Sequence, residues 1–270
     1  MINIVCVKIG SKYGSIYANK LHGMCSAFVS QPFKFFCYTD DPVGLHPEIK
    51  VIPYVDFDLH PIVFNKLFLL SDEFALKINN NPTFFFDLDI VIKKNIDGFI
   101  NRSKETSTFK TINAVWKSLR RKDIEPPYLD HTINSSCMFW IPGTTNHLWS
   151  SFIENKQAFL KKYWRGMDGF LFYEHKIRGG LPEDCFYSFL YDIDRKVKRI
   201  MSSPEEYEVY KDSVPIVLFN GPTTQEDIDD FVSNGYKSYY SRFEEAFNGT
   251  TEQREDIRKE IGRDMLLRQL

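Results

Sequence analysis

The sequence carries no surplus of positive charge. Its 34 Lys and Arg face 36 Asp and Glu, for a formal net charge of -2, so no global field exists to recruit nucleic acid or an anionic membrane. It has no apolar run near the about 20 residues that cross a bilayer. The opening MINIVCVKIG is too short an apolar stretch for a secretory leader and lacks a small-residue cleavage site. The cysteines are few and odd in number: Cys6, Cys25, Cys37, Cys137 and Cys185. No two of them have metal or redox spacing, so buried free thiols in a reducing compartment are expected, and the chain reads as soluble and cytoplasmic. There is no internal repeat and no low-complexity segment. A Gly-rich, basic phosphate loop is also missing; IGSKYGS, with two glycines and one lysine, is a poor version of one, which weighs against a nucleotidyltransferase. The six histidines (His22, His46, His60, His131, His147, His175) show no close-spaced pair, and surface or core roles are expected for them; His131, near Asn134, is also a candidate to line an acceptor cleft.

What is present is ample core material. Of 270 residues, 43% are hydrophobic and 16% aromatic, enough for one large domain or two small ones. Apolar runs at 2–8, 33–38, 49–52 and 83–89 read as strands, with helical spacing at 13–30 and 64–74 between them. That alternation predicts an α/β domain with a mostly parallel central sheet flanked by helices. Residues 101–131 are more polar, with a basic cluster (Lys117, Arg120, Arg121, Lys122) and a Pro126-Pro127 pair, and read as a surface excursion. Strand character returns at 136–141 and 214–219, and helical spacing at 147–160 and 168–175. A helix is expected to start at Thr224, with capping-type spacing. The tail 250–270 reads as an amphipathic helix that packs on the body or on a second copy of the chain.

One stretch stands out chemically. TFFFDLDIVIKKNIDGF drives three phenylalanines into two carboxylates and then turns apolar again. Residues two apart on a strand share a face, so Asp87 and Asp89 at a strand's C-terminal end would both look into the crevice where open α/β sheets bind ligands. Two like charges there repel and are costly to desolvate. A divalent cation with oxygen ligands, Mg²⁺ or Mn²⁺, removes that cost and is often completed by substrate phosphates. The bland alternative is a hydrogen-bonded structural pair. A second acidic pair, Glu183 and Asp184 in GGLPEDCF, reads either as acids favoured at a helix start or as a general base for an acceptor hydroxyl.

The apolar run, Asp-x-Asp and Ile96-Asp97-Gly98-Phe99 together resemble nucleotide-sugar glycosyltransferases of the GT-A fold. Further segments match, in order, the glycogenin-like (family 8-like) bacterial group: KYGSIYANKLHGM, FKFFCYTDDPVGL, FNKLFLL, INSSCMFWIPG, GMDGFLF and VLFNGP. The resemblance implies a Rossmann-like sheet and transfer of a hexose from a nucleotide-diphosphate sugar, most readily a UDP-sugar, to an acceptor hydroxyl. It also implies site roles. Val7, Lys8, Gly10 and Tyr13 would hold the nucleoside, with Asp40 on the base or ribose. Asn65 and Lys66 would face the sugar and a phosphate. Asp87, Leu88 and Asn134 would line the donor site. Asp87, Asp89 and Asn220 would hold Mn²⁺ or Mg²⁺, and Asp168 and Asp184 are the catalytic candidates. Residues 1–249 would form one transferase domain, nucleotide-binding over about 1–100 and acceptor-binding over about 101–222, followed by the 250–270 helix, a route to a homo-oligomer.

The sequence departs from that group at Asn220, where the group has a metal-binding His, and in GPTTQEDID, which lacks the usual following Lys-Pro-Trp. Met167 and Asp168 stand where the group has Asp and Gln. Two alternatives stay open: a haloacid-dehalogenase-like phosphatase, whose Asp-x-Asp usually opens its catalytic domain, and a non-catalytic sugar-binding protein on a transferase fold. The transferase reading expects Lys8, Lys66, Asp89 and Asn220 around one crevice.

Overall fold

The strand at the centre of the sheet is INIVCVK, β1 (Ile2–Lys8), with all but Val7 buried. A run so uniformly buried needs cover on both faces. In the computed structural model, which describes residues 1–114, 131–188 and 213–219, that cover is present. Helix α1 (Ser15–Phe28) follows β1, then β2 (Phe33–Thr39) and β3 (Lys50–Pro53). A 3₁₀ segment (Ile62–Leu70) and α2 (Asp72–Lys77) lead to β4 (Thr83–Phe86). Next come β5 (Ile90–Ile92), α3 (Asp97–Ser103), β6 (Lys110–Asn113) and β7 (Ile133–Trp140). Helices α4 (Asn146–Glu154), α5 (Lys156–Lys162) and α6 (Met167–Glu174) and a 3₁₀ turn (Glu183–Cys185) complete the first of two compact units, Met1–Cys185.

The six-stranded sheet of this unit runs β3-β2-β1-β4-β7-β6. β1 pairs in parallel with β2 and β4, and β2 with β3. β7 runs antiparallel to β4 and β6. The chain moves one way from β1 to β3 and then returns to the other side of β1 for β4, so β1 and β4 flank a topological switch point. The second unit, Phe186–Leu270, contributes β8 (Phe186–Ser188) and β9 (Ile216–Leu218), paired in parallel with Phe186 opposite Ile216.

β4 shows how both sheet faces are filled. Phe84 and Phe86 point to one side, where Phe99 of α3 packs 5.7 and 6.4 Å from them between ring centroids. Phe85 points to the other, into a cluster with Phe64, Phe68, Phe74, Met138, Trp140, Phe152 and Phe170. Each such buried ring contributes roughly 2–3 kcal/mol of hydrophobic stabilisation.

Several predicted boundaries move, each for a local reason. The strand expected over 83–89 ends at Phe86, so Asp87, Leu88 and Asp89 form the turn that leaves it. The helix expected over 64–74 breaks at Ser71. Its hydroxyl donates to the Phe68 carbonyl at 2.7 Å and accepts the Phe74 N–H at 3.0 Å, capping α2. The helix expected over 147–160 breaks at Asn155 into α4 and α5. The surface excursion expected from residue 101 is corrected over 101–114. α3 extends there, and Lys110 of β6 lies 7% exposed, with Nζ donating to the Ser103 carbonyl at 2.6 Å and 5.5 Å from the Phe139 ring centroid. Its aliphatic stem let a polar-looking segment serve as a sheet strand. The basic cluster at 117–122, the Pro pair, the helix expected at 224 and the tail helix lie outside the described residues.

Candidate functional site

The turn that leaves β4 lies at the C-terminal end of the sheet beside β1. Three contacts tie it to its surroundings. The Asp87 backbone N–H donates to the Ser136 carbonyl of β7 at 2.8 Å. The Asp87 carboxylate takes the Lys66 ammonium at 2.8 Å, and that Lys66 Nζ also lies 5.1 Å from the Phe85 ring centroid. The Tyr13 hydroxyl, from the loop after β1, donates to Asp89 Oδ2 at 3.1 Å. Tyr13, Lys66, Asp87 and Asp89 are therefore brought together, and the two acids reach their positions from a turn and not from a strand.

The two carboxylates are unequally placed. Burial, then the neighbouring Asp87 charge, push Asp89 up from the ordinary carboxylate range to about 6, while Lys66, Lys12 and the Tyr13 hydroxyl hold it down. Tyr13 is itself raised, by burial and then by the Asp89 and Asp87 charges, so it stays a neutral donor. Lys12, 4.7 Å from the Tyr13 ring centroid, is a member of this group that pattern reading passed over. It was present in IGSKYGS, but only as part of a poor phosphate loop.

The neighbouring loops are also ordered. The Gly10 N–H donates to Asp40 Oδ2 at 2.8 Å, which ties the loop after β1 to the one after β2. Lys8 does not join the Lys66 group: it is 3% exposed, and its Nζ donates to the Asp41 carbonyl at 2.8 Å, with the Asp41 carboxylate 3.6 Å away. Val7 is half-buried in β1, and the Leu88 side chain is buried between the two acids. Asn65 is wholly buried. Its Nδ2 donates to the Ile62 carbonyl at 3.0 Å, and its Oδ1 has no partner.

On the far side of β4, β7 gathers a second group. Asp168 stands in the first turn of α6, and its Oδ1 accepts the Ser135 N–H at 3.0 Å. Asn134 Oδ1 accepts the Ser136 N–H at 2.9 Å. Because Ser136 in turn receives the Asp87 N–H, Asp168 and Asn134 are anchored within one β7 residue of the acidic turn's own anchor. His131 Nε2 lies 3.8 Å from Asp168 Oδ2. Gly166 makes the placement of Asp168 possible. It enters α6 at φ +138, and a Cβ there would sit 3.2 Å from Val63 Cγ2.

Glu183 and Asp184 are not part of either group's bonding. Both are exposed. Asp184 accepts from Arg102 Nη1 at 2.9 and 3.0 Å and more weakly from Cys185 Sγ at 3.9 Å, and Arg102 Nη2 reaches Cys185 Sγ. Glu183 accepts from Asn113 Nδ2. The Arg102 partnership has no sequence signature, being 82 residues away. Asn220, the third expected metal ligand, lies outside the described residues.

The residues fit a hard divalent cation. Asp87 and Asp89 offer oxygen donors only, and an Asp89 proton held by burial and by a like charge is one a cation readily displaces. Lys66 already balances part of the charge.

No family model matches the chain, and no curated protein matches it. Solved structures do. The architecture is the GT-A fold: the chain superposes on a crystal structure of an active-site mutant of LgtC with a TM-score of 0.56 at 10% identity, covering 94% of this chain and 99% of that one. It also superposes on the galactosyltransferase LgtC in complex with donor and acceptor sugar analogues, with a TM-score of 0.51 at 11% identity and the same coverage. Identity this low speaks for the fold alone. Three strands, β1 to β3, precede β4 and its Asp-x-Asp, so the motif does not open the domain, which counts against the phosphatase alternative. Among the described residues, no helix is long and apolar enough to cross a membrane.

Proposed function

We propose that the protein is a glycosyltransferase that moves a hexose from a nucleotide-diphosphate sugar, a UDP-sugar in the first instance, to an acceptor hydroxyl. The observation that carries this reading is the Asp87-Leu88-Asp89 turn at the sheet's switch point, held between Lys66 and Tyr13. The likeness in fold to a galactosyltransferase captured with donor and acceptor sugar analogues supports it.

In this reading Tyr13, Gly10 and the backbone around Val7 and Leu88 receive the nucleoside, with Asp40 at the loop edge. Asp87 and Asp89 would hold Mn²⁺ or Mg²⁺ through their carboxylate oxygens. When bound, the cation neutralises charge on the departing diphosphate. Lys66 adds a fixed positive charge to the same end. Asn134 and Asp168 face the transferred sugar across β7. Asp168 suits that role better than Asp184, because its carboxylate is anchored to the strand that also anchors Asp87, whereas Asp184 is engaged by Arg102. Lys8 and Asn65 act behind the site, setting the loop after β2 and the 3₁₀ segment.

Release of UDP from a panel of UDP-hexoses with Mn²⁺, in wild type and Asp89→Asn, tests the proposal. UDP release by the wild type that the variant loses is expected. No release from any UDP-hexose by the wild type, with or without sugar acceptors, would refute the reading.

A further inference from the structure

Asp87 and Asp89 are not the only place where metal-ligating groups converge. Among the described residues, His22, His46 and Glu48 each present one ligand atom, and these atoms all lie within 4.8 Å of one another. His22 sits in the middle of α1 and is 7% exposed, wedged edge-on against Phe35 at 5.3 Å. Its Nε2 lies 3.7 Å from Glu48 Oε2. The His46 ring stacks on it at 5.0 Å. His46 and Glu48 are exposed, so the cluster opens to solvent over a buried floor.

The loop that carries His46 and Glu48 is built to stay there. Asn19, one turn before His22, clamps it with both ends of its amide: Nδ2 donates to the Gly44 carbonyl at 2.8 Å and Oδ1 accepts the His46 N–H at 2.8 Å. Gly44 lets the loop press onto the start of α1. Its φ is +77, and a Cβ there would meet Ser15 Oγ at 2.7 Å. One weak contact stands against loading: His46 Nδ1 accepts the Glu48 N–H at 3.3 Å. A cation on either ring nitrogen of His46 gives that contact up, so binding is moderate in strength and not of the tight structural kind.

We propose that His22, His46 and Glu48 form a second metal site, for a borderline transition cation such as Zn²⁺, separate from the acidic turn and clamping the 40–48 loop to α1. Two imidazoles and one carboxylate suit Zn²⁺, Co²⁺ or Ni²⁺ and do not suit Mg²⁺, which wants oxygen throughout. Burial, then the neighbouring His46, lower His22 below the ordinary histidine range, which keeps its imidazole in the neutral, ligating form. None of the groups that act on Asp89 belongs to the cluster. The loop also bears Asp40 and Asp41, which hold Gly10 and Lys8, so the clamp would stiffen the residues behind the acidic turn. The inference does not depend on what that turn binds.

The test is a calorimetric titration of Zn²⁺, with Mg²⁺ as control, into untagged, chelator-treated protein. Asp89→Asn serves as the background, so that the acidic turn does not contribute. One saturable Zn²⁺ site is expected, absent for Mg²⁺ and weakened roughly tenfold or more by His46→Ala and by Glu48→Ala. Both of those side chains are exposed, so circular dichroism should show the fold intact. No saturable Zn²⁺ binding in the background protein, or binding that either variant leaves unchanged, overturns the proposal.

Discussion

The two acidic pairs of this chain, Asp87 with Asp89 and Glu183 with Asp184, look equivalent as letters and are opposite as physics. The first pair is half-buried at the end of a strand of three phenylalanines, with one carboxyl raised to about 6 by burial and by its neighbour. The second is exposed, and each member has a partner of its own: Arg102 for Asp184 and Asn113 for Glu183. A carboxylate pair kept under strain is poised for a cation or a phosphate-bearing ligand; a pair already satisfied is not. That contrast is why the functional reading rests on the first pair, with Asp168 preferred to Asp184 as the carboxylate near the sugar.

The largest test of the contrast removes the cation from the first pair. Lys66 and Asp87 are 13% and 20% exposed in their side chains, so Lys66→Met should cost on the order of 2–4 kcal/mol by urea denaturation, because it leaves a second uncompensated charge beside Asp89. Adding Asp87→Asn to that variant should restore much of the loss.

Asp89→Asn should act in the other direction. Because the folded state holds the Asp89 proton up to about pH 6 and the unfolded state loses it near the ordinary value, stability falls as pH rises through that window and stays lower above it. The variant should therefore be more stable than wild type at pH 7.5, by up to about 2–3 kcal/mol, and the difference should vanish near pH 4. Thermal unfolding at the two pH values checks it; a variant less stable than wild type at pH 7.5 would contradict it. Tyr13→Phe removes the donor to Asp89. It should cost about 1 kcal/mol or less and move the Asp89 titration, followed by carbon-13 NMR, further upward. The smallest effect is expected at the second pair. Arg102→Ala or Asp184→Ala should change stability by less than about 1 kcal/mol, since the ion pair is exposed.

Much of the fold was legible because buried parallel strands leave continuous apolar runs: the β1 bounds read from sequence are those observed. The GT-A architecture followed from the order of six short segments around the Asp-x-Asp. What sequence could not place were interruptions made by single side chains, such as Ser71 capping α2 and Asn155 dividing α4 from α5. Strands whose polar letters are used through their stems, such as Lys110 in β6, were missed for a related reason. At the site, the Lys66 and Asp87 pairing joins residues 21 apart, and the Tyr13 contact joins residues 76 apart. The resemblance gave Lys66 to a phosphate or sugar and Tyr13 to the nucleoside; the folded geometry pairs them with the two acids, ties Lys8 to Asp41 and adds Lys12. His22 and His46 read as unrelated in sequence because a helix and a loop bring them together.

The central claim is that the Asp87-Leu88-Asp89 turn binds a nucleotide diphosphate together with a divalent cation. The most direct test is a calorimetric titration of UDP into wild type and Asp89→Ala, each with and without Mn²⁺. The account predicts binding by the wild type that needs Mn²⁺ and is lost in the variant. Wild-type binding that ignores the metal and survives Asp89→Ala, or no UDP binding at all, would contradict it.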